Sequence, residues 1–244
     1  MPIEISDLNF SYHKESILQN INLIIPDNKI VALVGLNGQG KSTIIKLIIG
    51  FLKPQKGSIK IDGINLEKIS SHSKAKIMAY VPQKMEIGYR FNVSEFIKLG
   101  ATFLNLTTTK LNSRLNEVLT KLNISHLANR YIDELSGGEL RLIYLARALI
   151  QDTKWLILDE PTSSLDFKRE YEFLDILKKS VTNKSIVLSI HNPKLAMEYA
   201  DIIVVLSNKQ IVNIINTDDH RALYEAFSEI YSKEFTDKIM IREE

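Results

Sequence analysis

The chain has 244 residues, with 31 Lys and Arg against 29 Asp and Glu, and it contains no cysteine. The near balance of charge, spread along the sequence, argues against a general nucleic-acid surface, and the lack of cysteine excludes disulfides and thiolate metal sites. The start Met1-Pro2-Ile3-Glu4 lacks the regions of a secretory signal, and no run of about 18 apolar residues exists, so the chain is not expected to cross a bilayer by itself.

In chain order, an alternating N-terminal strand sets Phe10 and Tyr12 on one face. Ile30 to Val34 is a short apolar run, as expected of a buried strand. It leads into Gly35-Leu36-Asn37-Gly38-Gln39-Gly40-Lys41-Ser42-Thr43, which fits G-x-x-x-x-G-K-[ST] without a gap. Thr43 to Ile49 has helical length, with Gly50 and Pro54 as breakers. Such a loop wraps phosphates with backbone N–H groups, Lys41 adds a point charge, and Ser42 is placed to offer its hydroxyl to Mg²⁺. Each hydrogen bond to a charged phosphate contributes roughly 1.5–3 kcal/mol, so several together hold ATP firmly. With strand, loop, Lys and Ser all in place, a glycine turn that binds nothing is the weaker reading.

Met78 to Val81 reads as a strand, and Gln83 follows it through Pro82, where an amide can touch Mg²⁺ or a water. Residues 93–131 read mostly as helix, with Leu111, Leu115, Val118, Leu119 and Leu122 at helical spacing. Leu135-Ser136-Gly137-Gly138-Glu139 then reads as a helix start, in which Ser136 caps the first amides and Glu139 closes a capping box. Gly137 and Gly138 leave the backbone bare to an approaching phosphate, at the positive end of a helix dipole. The chain therefore carries two anion-binding helix starts. One ATP does not need both from a single subunit, which hints at a shared site.

Trp155 to Leu158 is a second apolar strand, ending in Asp159 and Glu160. Carboxylates at a strand's C-terminal end sit where parallel α/β sheets place ligands. In a phosphate-loop chain Asp159 is suited to hold Mg²⁺ through its water shell, and Glu160 to orient and deprotonate the attacking water. A lone Asp-Glu pair would more often solvate a loop. His191 closes another strand, Ile186 to Ile190, before Asn192 and Pro193 start a helix. By itself a histidine there is more often structural. Residues 219–237 hold an apolar stripe of Leu223, Phe227, Ile230 and Tyr231, read as helix packing.

These residues, in this order, resemble the ATP-binding subunit of an ABC transporter from about residue 3 to about residue 215. Lys41 lies in that family's Walker A loop, Gln83 in its Q-loop and Leu135 to Glu139 in its signature loop. Asp159 and Glu160 match its Walker B pair, Ser163-Ser164-Leu165-Asp166 its D-loop, and His191 its switch histidine. Tyr12 matches the aromatic that stacks on adenine, although Phe10 shares its face and either ring also suits a core. The resemblance implies an α/β P-loop NTPase (RecA-like) core with an N-terminal antiparallel β region and an inserted α-helical subdomain. It implies a single nucleotide-binding domain, with about residues 1–83 and 152–218 as ATP-binding core, about 84–151 as helical signature subdomain and about 219–244 as a helical tail.

It further implies a head-to-tail dimer of two copies, each ATP lying between one copy's Walker A loop and the other's signature loop. Glu160 is then the base, His191 contacts the γ-phosphate, and Lys41 and Gln83 complete the catalytic set. Mg²⁺ falls to Ser42, Gln83 and Asp159. Membrane permease subunits would hold the protein at the cytoplasmic face of the membrane, and an extracytoplasmic substrate-binding protein would act with them; no nucleic acid is implied. Four positions depart from the family pattern: Gln39 replaces a small residue, Glu139 stands where many members have Gln, and Arg141 and Leu142 stand where Gln and Arg are commoner.

Val81-Pro82-Gln83, Asn92-Val93-Ser94-Glu95 through Leu99-Gly100, Leu165-Asp166-Phe167 and Ile190-His191-Asn192 through Asp201 are similar to importer ATPases for iron–siderophore complexes, haem and cobalamin. Ala101 departs from an arginine often found there. Zinc or manganese importers, exporters and a soluble regulatory ABC ATPase are the alternatives.

Overall fold

The computed structural model describes residues 1–84, 89–181 and 184–240. They form two compact units, one of Met1–Ser70 with Ser185–Glu244 and the other of Ser71–Lys184.

The first unit opens with a hairpin of β1 (Ile3–Tyr12) and β2 (Glu15–Ile25), paired antiparallel with Ile3 opposite Ile25 and Phe10 opposite Leu18. Alternation decides its faces: Ile3, Ile5, Leu8 and Phe10 are buried with Leu18, Ile21, Leu23 and Ile25. The register slips between Ile5 and Leu8, where Asp7 takes φ +48, so one extra residue bends the strand while keeping Leu8 inside. β3 (Ile30–Val34) and α1 (Lys41–Ile48) follow, then β4 (Lys56–Ile61) against β1, and the short edge strand β5 (Ile64–Asn65). This is the expected antiparallel β region.

The second unit begins with α2 (Ser71–Ile77) and β6 (Met78–Val81). The stretch read as mostly helical divides into α3 (Val93–Lys98), α4 (Thr108–Lys121) and short 3₁₀ turns at Leu99–Ala101 and Ser125–Leu127. Local capping sets the divisions. Asn92 and Glu95 form a capping box on α3, the Thr107 hydroxyl accepts from the Lys110 amide at 3.4 Å to start α4, and Asn123 at φ +57 lies just past its end. Leu115, Val118, Leu119 and Leu122 are buried as their spacing predicts. α5 (Gly137–Leu149), β7 (Trp155–Leu158) and α6 (Phe167–Ser180) complete the unit. β6 and β7 pair in parallel, Met78 with Trp155 through Val81 with Leu158, and β7 is buried along its whole length.

The chain returns to the first unit with β8 (Ser185–Ser189), α7 (Pro193–Tyr199), β9 (Ile202–Ser207) and β10 (Gln210–Asn216). β3 lies in parallel between β8 and β9, with Ile30 opposite Ile186 and Val31 opposite Ile202, while β10 runs antiparallel along β9. β3 and β8 read as near-continuous apolar runs because helix crossovers cover both faces of such strands. The apolar stripe read as helix packing lies on α8 (His220–Tyr231), which Ser232 at φ +92 separates from α9 (Lys233–Met240). Leu223 and Phe227 are fully buried, whereas the last four residues of the expected tail, 241–244, lie outside the described residues.

Candidate functional site

The glycine loop, Tyr12 and His191 belong to the first unit. Gly35 directly follows β3 with φ +155, and a Cβ there would stand 2.4 Å from the Leu206 carbonyl oxygen, so no side chain fits. Leu36, Asn37 and Gly38 form an exposed tip. Gly40 is the N-cap of α1 in a left-handed conformation, with no side-chain cap and no acidic residue in the first turn. A helix start left so by its own side chains presents positive potential to an anion. Lys41 is 4 % exposed, and its ammonium donates to the carbonyl oxygens of Gly35 at 2.7 Å and Leu36 at 3.0 Å. A phosphate oxygen would add an opposite full charge that these neutral carbonyls lack, so the ammonium favours it over them. The Gln39 side chain accepts from the Lys209 amide at 3.4 Å.

The structure separates the two N-terminal aromatics. Phe10 is 6 % exposed and belongs to the core, whereas Tyr12 is 39 % exposed and meets Phe10 edge-on at 4.9 Å. His191 is exposed just past β8, which ends at Ser189, one residue earlier than expected. The Ile190 amide donates to the Leu33 carbonyl at 3.1 Å, and Asn192 caps α7 with Pro193 at its start.

Gln83, the signature loop, the acidic pair and the D-loop belong to the second unit. The Asp159 amide donates to the Val81 carbonyl at 2.9 Å, extending the β6–β7 ladder to the acidic pair. Asp159 and Glu160 are both buried. Burial, and secondarily the Asp159 charge, pushes the Tyr80 phenol up to about 12, so Tyr80 stays neutral beside it. Glu160 has φ +45, a left-handed conformation that costs a non-glycine residue about 1–2 kcal/mol. Its carboxylate accepts a hydrogen bond from Gln83 Nε2, which brings together two residues far apart in sequence.

Three donors converge on the Glu160 carbonyl: the Ser163 amide at 3.1 Å, Ser163 Oγ at 3.0 Å and Arg141 Nη1 at 3.4 Å. Arg141 also donates to the Gln83 carbonyl at 3.3 Å, the Ser163 carbonyl at 2.7 Å and Ser163 Oγ at 3.0 Å. Burial lowers its guanidinium pKa, opposed by the Glu160 charge. The sequence marked Arg141 only as a departure. Its buried helix neighbours Leu145 and Ala148 carried the signal, because an arginine on such a face needs buried acceptors.

The predicted capping box on α5 forms. The Ser136 amide donates to Glu139 Oε2 at 2.7 Å, and the Glu139 amide to Ser136 Oγ at 3.4 Å. These bonds hold the Glu139 carboxyl below its ordinary pKa, first through the Ser136 side chain and then through its amide. Ser136 and Gly137 are exposed, and a cleft of about 130 Å³ is lined by Gln83, Gly137, Arg141, Ser163 and Leu165 among others. Ser164 takes φ +73, and Asp166 caps α6 by accepting from the Arg169 amide at 3.0 Å.

An uncapped glycine loop after a parallel strand of the first unit, and a buried acidic pair after a parallel strand of the second, are the marks of a P-loop nucleoside triphosphatase. The sequence pattern described as "ABC transporter" matches residues 18–163. The chain is 34 % identical over 218 residues to the "probable iron chelatin transport ATP-binding protein" of Helicobacter pylori, covering 86 % of each. It is 33 % identical over 215 residues to the hemin import ATP-binding protein of Photobacterium damselae, covering 86 % of this chain and 81 % of the relative. A solved ATP-binding subunit of an ABC transporter superposes with a TM-score of 0.81 at 26 % identity, over 95 % of this chain and 98 % of the other. The chain belongs to the ABC transporter family as an ATP-binding subunit that hydrolyses ATP. Among the described residues, no helix is long and apolar enough to cross a membrane.

Proposed function

We propose that the protein powers import of an iron complex, of siderophore or haem type, through separate membrane permease subunits that hold it at the cytoplasmic face. The relatives named for iron chelatin transport and hemin import carry the cargo class. An extracytoplasmic substrate-binding protein would deliver that cargo.

In this reading two copies close head to tail around ATP. Lys41 and the amides of Gly35 to Thr43 hold the phosphates of one nucleotide, Tyr12 stacks on its adenine, and Leu135 to Glu139 of the second copy cover it. The D-loop, Ser163 to Asp166, meets the partner. The donors Ser42, Asp159 and Gln83 offer the hard oxygen ligands that Mg²⁺ prefers, and Asp159 is a buried carboxylate. Mg²⁺, when bound, would supply positive charge against the phosphate oxygens.

Glu160 takes a proton from water as the water oxygen bonds to the γ-phosphorus. The bond from that phosphorus to the bridging oxygen breaks, leaving ADP and phosphate. The Gln83 bond orients the Glu160 carboxylate, and His191 contacts the γ-phosphate. Catalysis of this kind is mainly positioning and charge stabilisation.

Replacing Glu160 with Gln is expected to cut turnover by about 10²–10⁴-fold while ATP still binds. In that background ATP should yield dimers on gel filtration, and adding Ser136→Arg should abolish them without weakening ATP binding by the monomer. Wild-type turnover in Glu160→Gln removes the base role; dimers that persist with Ser136→Arg remove the shared site. For the cargo, cells lacking the protein should lose uptake of radiolabelled ferric siderophore or hemin. Loss of zinc or manganese uptake alone would overturn the iron reading.

A further inference from the structure

Arg141 lies two residues beyond the Ser136–Glu139 capping box and is 7 % exposed. Its two terminal nitrogens reach acceptors on three separate segments: the Gln83 carbonyl, the Glu160 carbonyl, and the carbonyl and hydroxyl of Ser163. These segments are the Q-loop, the acidic strand end and the D-loop. Glu160 has a strained backbone at φ +45, and such a conformation persists only where surrounding bonds over-determine it. Arg141 and Ser163 supply those bonds, and Ser163 Oγ is itself held by Arg141.

The geometry points to Arg141 as a positioning residue for ATP hydrolysis, which fixes the backbone carrying Glu160 and Gln83 and ties both to the first turns of the signature helix. The inference rests on the proposed role of Glu160 as general base. A planar guanidinium fork serves this purpose because it directs several donors at once along fixed lines; an ammonium is a single charge on a flexible stem. Displacement of the start of α5, where Ser136 and Gly137 are exposed, is passed through one buried side chain to the backbone of the base. Engagement of the signature loop by the second copy's nucleotide thereby sets the position of the base.

The test uses the full chain with Arg141→Met, which keeps the length of the side chain without its donors, and Arg141→Lys. Both variants should lower kcat by about 10- to 100-fold, the scale of a misplaced catalytic group. KM for ATP and affinity for a fluorescent ATP analogue should change little, the melting temperature should fall by about 2–10 °C with the fold retained as buried acceptors lose their donor, and Lys should not rescue kcat, because charge alone lacks the fork. The decisive readout is single-turnover ATP cleavage in the Glu160→Gln background. If Arg141 acts through Glu160, its replacement there adds little further loss. An undiminished kcat, a loss fully additive with Glu160→Gln, or unfolding and lost nucleotide binding in both Arg141 variants would each overturn the inference. Wild-type turnover in Glu160→Gln alone would instead overturn the base assignment, so the two failures are distinct.

Discussion

The two glycine-bearing helix starts differ in how their ends are satisfied. α1 begins at Gly40 without a side-chain cap, with no acidic residue in its first turn and a buried lysine resting on loop carbonyls. α5 begins at Ser136 with a complete capping box, its own glutamate closing on its own backbone. The first is left open by its own side chains, as the proposed phosphate role requires. The second is finished within the chain, and offers an exposed turn of small residues to something arriving from outside. Local chemistry alone thus separates an open helix start from a closed one, although both carry glycines before a helix, and the proposed function assigns holding to the first and covering to the second.

The comparison breaks most readily at Lys41. Replacing it with Ala should weaken ATP binding by about 10²-fold or more, the scale of a lost charge-assisted contact, read by titration with a fluorescent nucleotide. Unchanged affinity would mean that α1 does not hold phosphate. A smaller effect is expected from Gly40→Ala, where φ is +93 and the new Cβ would stand 2.6 Å from Leu18 Cδ2. It should lower stability by about 1–3 kcal/mol, measured by urea unfolding. Ser136→Ala removes one cap and should cost about 1 kcal/mol in the same assay, with ATP binding by the monomer intact. If Ser136→Ala instead abolished nucleotide binding by the monomer, the two starts would share one role.

The smallest effect concerns pH. The Glu139 carboxyl has a folded pKa below its ordinary value, so the unfolded chain takes up that proton first. Its contribution is complete above the unfolded value and is lost as pH falls through the lower, folded one. The melting advantage of the wild type over Glu139→Gln should therefore shrink in acid, followed by thermal melts across that window. A constant difference would mean that the carboxylate charge contributes nothing to the capping box.

Much of the fold was legible from local patterns. Ile30–Val34 and Trp155–Leu158 are strands at the expected bounds, because each is an apolar run too short for a buried helix. The capping box on α5 was equally legible, since its partners lie three residues apart. The break of residues 219–237 at Ser232 was not, because its positive φ carries no glycine signal. The ordering of Phe10 and Tyr12 was also hidden: both share a face, and only the strand pairing over Leu18 buries one and leaves the other exposed.

The sequence by itself determined the class of chemistry. A phosphate loop, a capped glycine turn and an acidic strand end are each specified by neighbours in the chain, so short-range sterics and hydrogen bonding suffice to read them. Only the tertiary structure decided how Gln83, Arg141, Glu160 and Ser163 meet. Their bonds span tens of residues, and they form because folding buries a guanidinium and an acidic pair in the same interior, where each polar group must find its partners or pay the desolvation cost.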